Sequence, residues 1–213
     1  MPRTKGTRIK EVKNLPNVFT SNNENVLNDL NNYWKNQNPV VLEIGCGHGD
    51  YSNALAKVYP DKNFIGIDIK GARIYTAAKK ALDETIKNVC FYLGKAENLL
   101  NIFQLKSIER IIIPFPDPHI KRRSEKRRLI SDEIFVLYKK VLNKNGIVEL
   151  KTDNLVIYEQ ALKTIKEFEG KIHLDVENVN LEDFKSDPDY VITKYEKHYL
   201  SESREIKFIR FGF

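Results

Sequence analysis

Cysteine is scarce. There are two in 213 residues, Cys46 and Cys90, each inside an apolar run. Two such cysteines make neither a disulfide framework nor a zinc site, and they imply a reducing compartment. The four histidines, His48, His119, His173 and His198, lack metal-ligand spacing, so no metal is expected. No apolar run approaches the roughly 20 residues needed to span a bilayer. The start, "MPRTKGTRIKEVKNLP", is basic, but no apolar segment follows as in a secretory signal. Repeats, low-complexity tracts and linkers are also missing. A single domain in the cytoplasm, without membrane attachment, is the expectation.

What is present is globular in composition, with 41% hydrophobic and 30% charged residues. The net charge of +6 comes from 35 basic and 29 acidic residues. Between Lys121 and Arg128 six residues are basic and one is acidic, so the rest of the chain is nearly neutral, at 29 basic against 28 acidic. A positive excess this local is the footprint of a polyanionic partner.

Seven runs read as strands: "PVVLEIG", "NFIGID", "NVCFYLG", "IERIIIPF", "GIVELKTD", "KIHLDVENV" and "EIKFIRFGF". They are rich in β-branched and aromatic residues, and the first five stop at glycine, proline or aspartate. Helical patterns alternate with the first five. "SDEIFVLYKKVLN" puts Ile134, Leu137, Tyr138, Val141 and Leu142 on one face, behind Ser131 as N-cap. This alternation predicts an α/β fold, a doubly wound and mostly parallel sheet with helices on both faces. Residues 39–213 would form that domain. Residues 1–38 would be a basic arm and a leading helix, with Arg3, Lys5, Arg8, Lys10 and Lys13 on a mobile segment able to touch the polyanion.

"LEIGCGHGD" sets Gly45, Gly47 and Gly49 between a strand and a helix, where backbone can lie close to a ligand. Asp68 ends the next strand about 20 residues on, the position from which a carboxylate holds ribose hydroxyls. Asp68 serves NAD and S-adenosylmethionine equally. Glu43 separates them, because a carboxylate there repels a pyrophosphate and attracts a sulfonium cofactor with its own ammonium group. The G-x-G-x-G loop with an acid two residues ahead resembles the first motif of the seven-stranded S-adenosylmethionine-dependent (class I) methyltransferases. That fold implies a Rossmann-like sheet whose last strand is antiparallel.

"FPDPHIKRRSEKRRL" follows the fourth strand, at the crevice where doubly wound sheets bind ligands. With "LKTDN" after the fifth strand and "TKYE" before the last, it resembles the motif set of the tRNA (guanine-N7)-methyltransferases. The resemblance runs from about Pro39 to the C-terminus. It implies a tRNA-modifying enzyme that moves a methyl group from S-adenosylmethionine to guanine N7 in the tRNA variable loop.

The chemistry agrees. N7 carries a lone pair and no proton, so alignment matters more than a base. Asp117, fixed between two prolines, is the candidate catalytic residue. It would grip the guanine N–H edge, favour the developing cation and also border the cofactor. By resemblance, Lys121, Asp153, Thr193, Lys194, Tyr195 and Glu196 contact the substrate. Arg122, Arg123, Lys126, Arg127 and Arg128 would meet RNA phosphates. Glu43, Gly45, Gly47, Asp68, Lys95 and Ala96 would hold the cofactor.

Two departures from the family pattern stand out. His119-Ile120 replaces a common Trp-Pro, and Lys95 stands where an aspartate or asparagine often precedes the alanine. The alternatives are a methyltransferase for another RNA or a small molecule, and a non-catalytic RNA-binding protein. A monomer or homodimer without an obligate protein partner is expected.

Overall fold

The computed structural model describes residues 4–20 and 26–213. In chain order the described elements are α1 (Lys5–Glu11), β1 (Val18–Thr20), α2 (Val26–Trp34), β2 (Val40–Ile44), α3 (Asp50–Val58), β3 (Asn63–Asp68), α4 (Gly71–Asp83), β4 (Val89–Leu93), α5 (Leu99–Ile102), β5 (Ile108–Pro114), α6 (Asp132–Val141), β6 (Leu142–Thr152), α7 (Leu155–Glu167), β7 (Lys171–Val176), α8 (Lys194–Ser201) and β8 (Lys207–Gly212).

The strands form one sheet in the order β1-β4-β3-β2-β5-β6-β8-β7. β2 sits at the centre, with β3 and β5 parallel on either side. β8 runs antiparallel between β6 and β7 and is the one reversed strand among the described residues, as the methyltransferase resemblance implies. Chain order therefore switches direction beside β2, and a doubly wound sheet leaves its crevice at the carboxyl ends there.

Alternation along each strand sorts the core. Leu42, Ile44, Ile65, Ile67, Ile111, Ile113 and Phe211 pack with α6 and α7 on one face. Val41, Phe64, Phe91 and Ile112 pack with α3 and α4 on the other. Each fully buried aliphatic or aromatic side chain of this kind contributes roughly 1.5–3 kcal/mol. Cys46 and Cys90 are both buried free thiols, and burial pushes each well above the ordinary thiol range.

Two expectations change. The sheet has an eighth strand, β1, paired parallel with β4. Its three residues are too few to show a period. The basic amino-terminal segment is, from Thr4 on, no loose arm. Val12 is fully buried beside Gly71, Arg8 donates to the Thr76 hydroxyl at 3.4 Å, and Asn17 donates through Nδ2 to the Ala78 carbonyl at 3.1 Å. Lys5, Lys10 and Lys13 ride on this docked piece, and Arg3 lies outside the described residues. Ser131 occupies the N-cap of α6, but its hydroxyl makes no capping bond. Asp132 and Glu133 answer the helix dipole instead.

The β5–β6–β8 face toward α3 is not apolar. Arg110 and Arg210 both hold Glu149, with Nε at 2.9 and 2.6 Å from its carboxylate oxygens. Arg110 also pairs with Asp189 at 2.8 Å and Arg210 with Asp187 at 3.5 Å. The chain from 185 to 201 closes over this charged layer and so reaches the crevice.

Candidate active site

The glycine loop turns on backbone geometry. Gly45, Gly47 and Gly49 have φ of 72°, 53° and 69°, in the left-handed region that other residues enter at a cost. Gly49 has no alternative, since a Cβ there would lie 2.9 Å from Ala77 Cβ and Phe91 Cε1. Gly45 and Cys46 donate N–H to the Ile67 carbonyl at 2.8 and 3.0 Å, which ties the loop to the end of β3.

Asp68 accepts from Gly47 N–H at 2.9 Å and from Lys70 N–H at 2.7 Å. It clamps the loop from behind and keeps lone pairs for a further donor. Gly94 N–H donates to the Asp68 carbonyl at 3.1 Å, which brings the turn of Lys95 and Ala96 alongside. Lys95 is exposed and Ala96 is buried. The expected cofactor residues thus line up along the carboxyl ends of β2, β3 and β4.

Glu43 is 3% exposed. It accepts from Ser52 N–H at 2.9 Å and Ser52 Oγ–H at 2.6 Å. Burial outweighs these bonds and raises its carboxyl to about 8. Around Glu43, Gly45 and Gly47 opens a cleft whose opposite wall is Phe115, Asp117, Thr193, Tyr195 and Tyr199. His48, Asp50 and Arg73 complete it. Burial first, and Arg73 second, lower the His48 imidazole.

The carboxyl side is built from β5, β6 and α8. Phe115 adopts φ 52°, a strained value for a non-glycine residue, and donates its N–H to the Lys151 carbonyl at 2.8 Å. Asp117 follows, 72% exposed, with Lys70 Nζ at 3.8 Å from its carboxylate. Asp153 pairs with Arg204 at 2.8 Å, while its neighbour Asn154 caps α7 by accepting from Ile157 N–H. Thr193 and Glu196 form a capping box on α8. Lys194 N–H donates to Asp50 at 3.0 Å, joining the starts of α8 and α3. Arg73 lies 5.9 Å from the Tyr195 ring.

Two sequence-derived roles look different in place. Glu196 is 0% exposed, paired with Lys151 at 3.0 Å and hydrogen-bonded by Tyr190, so it reaches the cleft only through the Thr193 cap. Arg128 is turned inward. Nε donates to the Pro118 carbonyl at 2.8 Å, Nη1 to Gln160 at 2.5 Å and Nη2 to the His119 carbonyl at 3.3 Å. It braces the Pro-Asp-Pro turn and is no free phosphate contact. Lys121, Arg123, Lys126 and Arg127 are exposed on the 3-10 turn beside it, to which Arg122 also belongs. At the departure His119-Ile120, His119 has φ 39° and Ile120 is 71% exposed.

Sequence reasoning passed over Asp50, Arg73, Phe115, Tyr199 and Lys151. A signal existed for the last, since a lysine inside the apolar strand "IVELKT" needs a buried partner. No cluster able to hold a metal ion occurs among the described residues. None of the described helices is long and apolar enough to cross a membrane.

A central glycine loop, acids along the strand ends and a single reversed strand define the class I methyltransferase architecture. Among solved structures, the 16S rRNA methyltransferase KamB superposes with TM-score 0.65 at 13% identity, over 86% of this chain and 91% of that one. A SAM-dependent methyltransferase from Aquifex aeolicus gives 0.56 at 14% identity over 95% and 97%. These likenesses show the fold alone. A family model described as "Putative methyltransferase" matches residues 37–209. A tRNA (guanine-N(7)-)-methyltransferase of Christiangramia forsetii is 35% identical over 218 residues, covering 98% of this chain and 97% of its own. The protein of the same name from Bacillus subtilis is 32% identical over 185 residues, covering 85% and 84%. The chain belongs to the tRNA (guanine-N7)-methyltransferase family.

Proposed function

We propose that this chain transfers the methyl group of S-adenosylmethionine to N7 of a guanine in the variable loop of tRNA. Residues 39–213 act as the methyltransferase domain and residues 1–38 as a basic lead-in that extends the RNA-facing surface. The observation that carries the reading is the cleft itself, which holds Glu43 and the glycine loop on one wall and Asp117 and Thr193 on the other.

The residues fit the cofactor. The space beside Gly47 is open, with only the Gly45 carbonyl oxygen, at 4.0 Å, near where a side chain would begin. A buried carboxyl faces that space and suits a cationic ligand. Glu43 and the glycine loop would hold the amino-acid end, Asp68 the ribose, and the turn at Lys95 and Ala96 the adenine. When bound, S-adenosylmethionine supplies an electrophilic methyl group on a sulfonium.

The chain's own task is alignment. Asp117 accepts from the guanine N–H edge and offsets the positive charge left on the purine. Tyr195 and Thr193 form the wall beside it, and Lys121 and Asp153 fix the nucleotide from the strand ends. Lys121, Arg123, Lys126 and Arg127, with Arg122, meet the phosphates. No group is needed to remove a proton from N7. Nucleoside mass analysis of tRNA incubated with the protein and labelled cofactor tests the assignment: N7-methylguanosine is expected. Its absence, or label on another base, overturns it.

A further inference from the structure

Lys151 is 2% exposed at the carboxyl end of β6, behind the residues that line the cleft. It touches both parts of the cleft wall that lies opposite Glu43, the Asp117 turn and the start of α8. Its carbonyl accepts the N–H of Phe115, the strained residue two positions before Asp117. Its ammonium donates to Glu196 at 3.0 and 3.3 Å and to the Val191 carbonyl at 3.0 Å. Glu196 in turn receives Thr193 N–H at 3.4 Å and Tyr190 O–H, so this cation, beside the Lys194 N–H bond to Asp50, seats the start of α8. Lys151 Nζ also stands over the Tyr190 ring, 3.1 Å from its centroid, and 5.2 Å from that of Tyr51 on α3.

A buried ion pair is seldom worth more to stability than apolar side chains of the same volume, because both charges lose their water. What it does fix is registry. Breaking either partner leaves a bare charge in the interior, so α8 has one allowed seat on the sheet. We propose that Lys151 is a positioning residue for methyl transfer, holding the Asp117 turn by its backbone and the Thr193–Tyr195 wall by its ammonium so that one element sets the gap into which the guanine fits. This rests on the function proposed above.

Only the charged lysine does this. The charged and titratable groups facing it are Glu196 and Tyr190 on the α8 side, Tyr51 on α3, Glu149 on β6, and Asp187 on the segment that closes over the sheet. Burial lowers the ammonium to about 8, against the pull of Glu196. Above that pH the proton leaves and the pair with Glu196 opens. Turnover would then fall on the alkaline side while the cofactor end, built on β2 and β3, stays intact.

The test compares Lys151→Met and Lys151→Arg with the parent. Lys151→Met should lower kcat about 100-fold with a smaller change in KM, the cost of displacing a reacting group by about an ångström. Lys151→Arg should regain much of the rate and lose the alkaline limb near pH 8, since a guanidinium does not deprotonate there. Amide exchange supplies a readout independent of activity. The first-turn amides of α8 should lose protection in Lys151→Met and keep it in Lys151→Arg. Unchanged kcat and α8 protection in Lys151→Met, or the same alkaline limb in Lys151→Arg, overturns the proposal. If Lys151→Met does not fold, the limb in Lys151→Arg decides alone. A parent protein that forms no N7-methylguanosine would sink the proposed function, while α8 exchange would still report on the Lys151–Glu196 tether.

Discussion

Lys70 Nζ and Asp117 Oδ2 stand 3.8 Å apart, one at the end of β3 and the other beyond β5, so their contact spans the glycine loop of β2. Both side chains are well exposed, and such a pair is worth little to stability. Its interest lies in position. In the proposed reaction the ammonium would steady the Asp117 carboxylate beside the cleft and give way to the guanine edge.

Asp117→Ala should therefore abolish N7 methylation and leave the unfolding midpoint within the shift of an ordinary surface change, about 0.5 kcal/mol. Asp117→Asn keeps the shape and loses the charge, and should retain only a small residual rate. Methylation assays beside thermal melts check both. Full activity in Asp117→Ala would remove this residue from the reaction.

With Glu43 in its proposed place beside the cofactor, binding should be a proton-linked event. Its folded carboxyl sits at about 8 against 4.5 for the free group, so the folded state holds the extra proton between those values. The stability this contributes is full below pH 4.5 and is lost as pH rises through 8. A cationic ligand beside Glu43 favours the ionised form, so binding at pH 7 should release close to one proton. Calorimetry with S-adenosylhomocysteine in buffers of different ionisation enthalpy measures this. Glu43→Gln should erase both the proton release and the pH slope of stability.

The exposed basic side chains divide from the buried one. Lys121, Arg123, Lys126 and Arg127 are free to meet phosphates, and four such contacts give a slope of log K against log salt of roughly −3 to −4. Each alanine at Lys126 or Arg127 should flatten that slope by about one. Filter-binding titrations with tRNA at several salt concentrations read it directly.

Arg128 should behave in the opposite way. Arg128→Ala removes three charge-assisted hydrogen bonds to Pro118, His119 and Gln160, a loss on the order of 3 kcal/mol. It should cripple methylation through the Asp117 turn and leave the salt slope unchanged. Arg128→Lys should rescue little, because an ammonium cannot fork between two carbonyls and an amide.

The seven longer strands, the glycine loop and the acids Glu43 and Asp68 were legible because each signal is local: a period, a turn residue, an offset of about 20. β1 was not, since three residues carry no period. Arg128 could not be told from its neighbours in the basic run, because what turns it inward is Gln160, 32 residues away, and two carbonyls exposed by the proline turn. The charged layer was hidden for the same reason. Arg110 and Glu149 sit in runs that read as strands, and their partners Asp187, Asp189 and Arg210 come late in the chain. Glu196 was placed at the substrate by its motif, whereas its capping geometry and the lysine beneath it set its real surroundings.

The reversed strand β8 carries a consequence for how the molecule assembles. β7 is synthesised first yet bonds to the sheet only through β8, so it has no docking edge until the later strand has slipped in beside β6. A growing chain must hold Leu174 and Val176 in waiting through that interval, open to chance pairing with other nascent chains. In the folded chain Leu174 and Val176 pack against the same small apolar cluster as Tyr199 and Leu200 of α8.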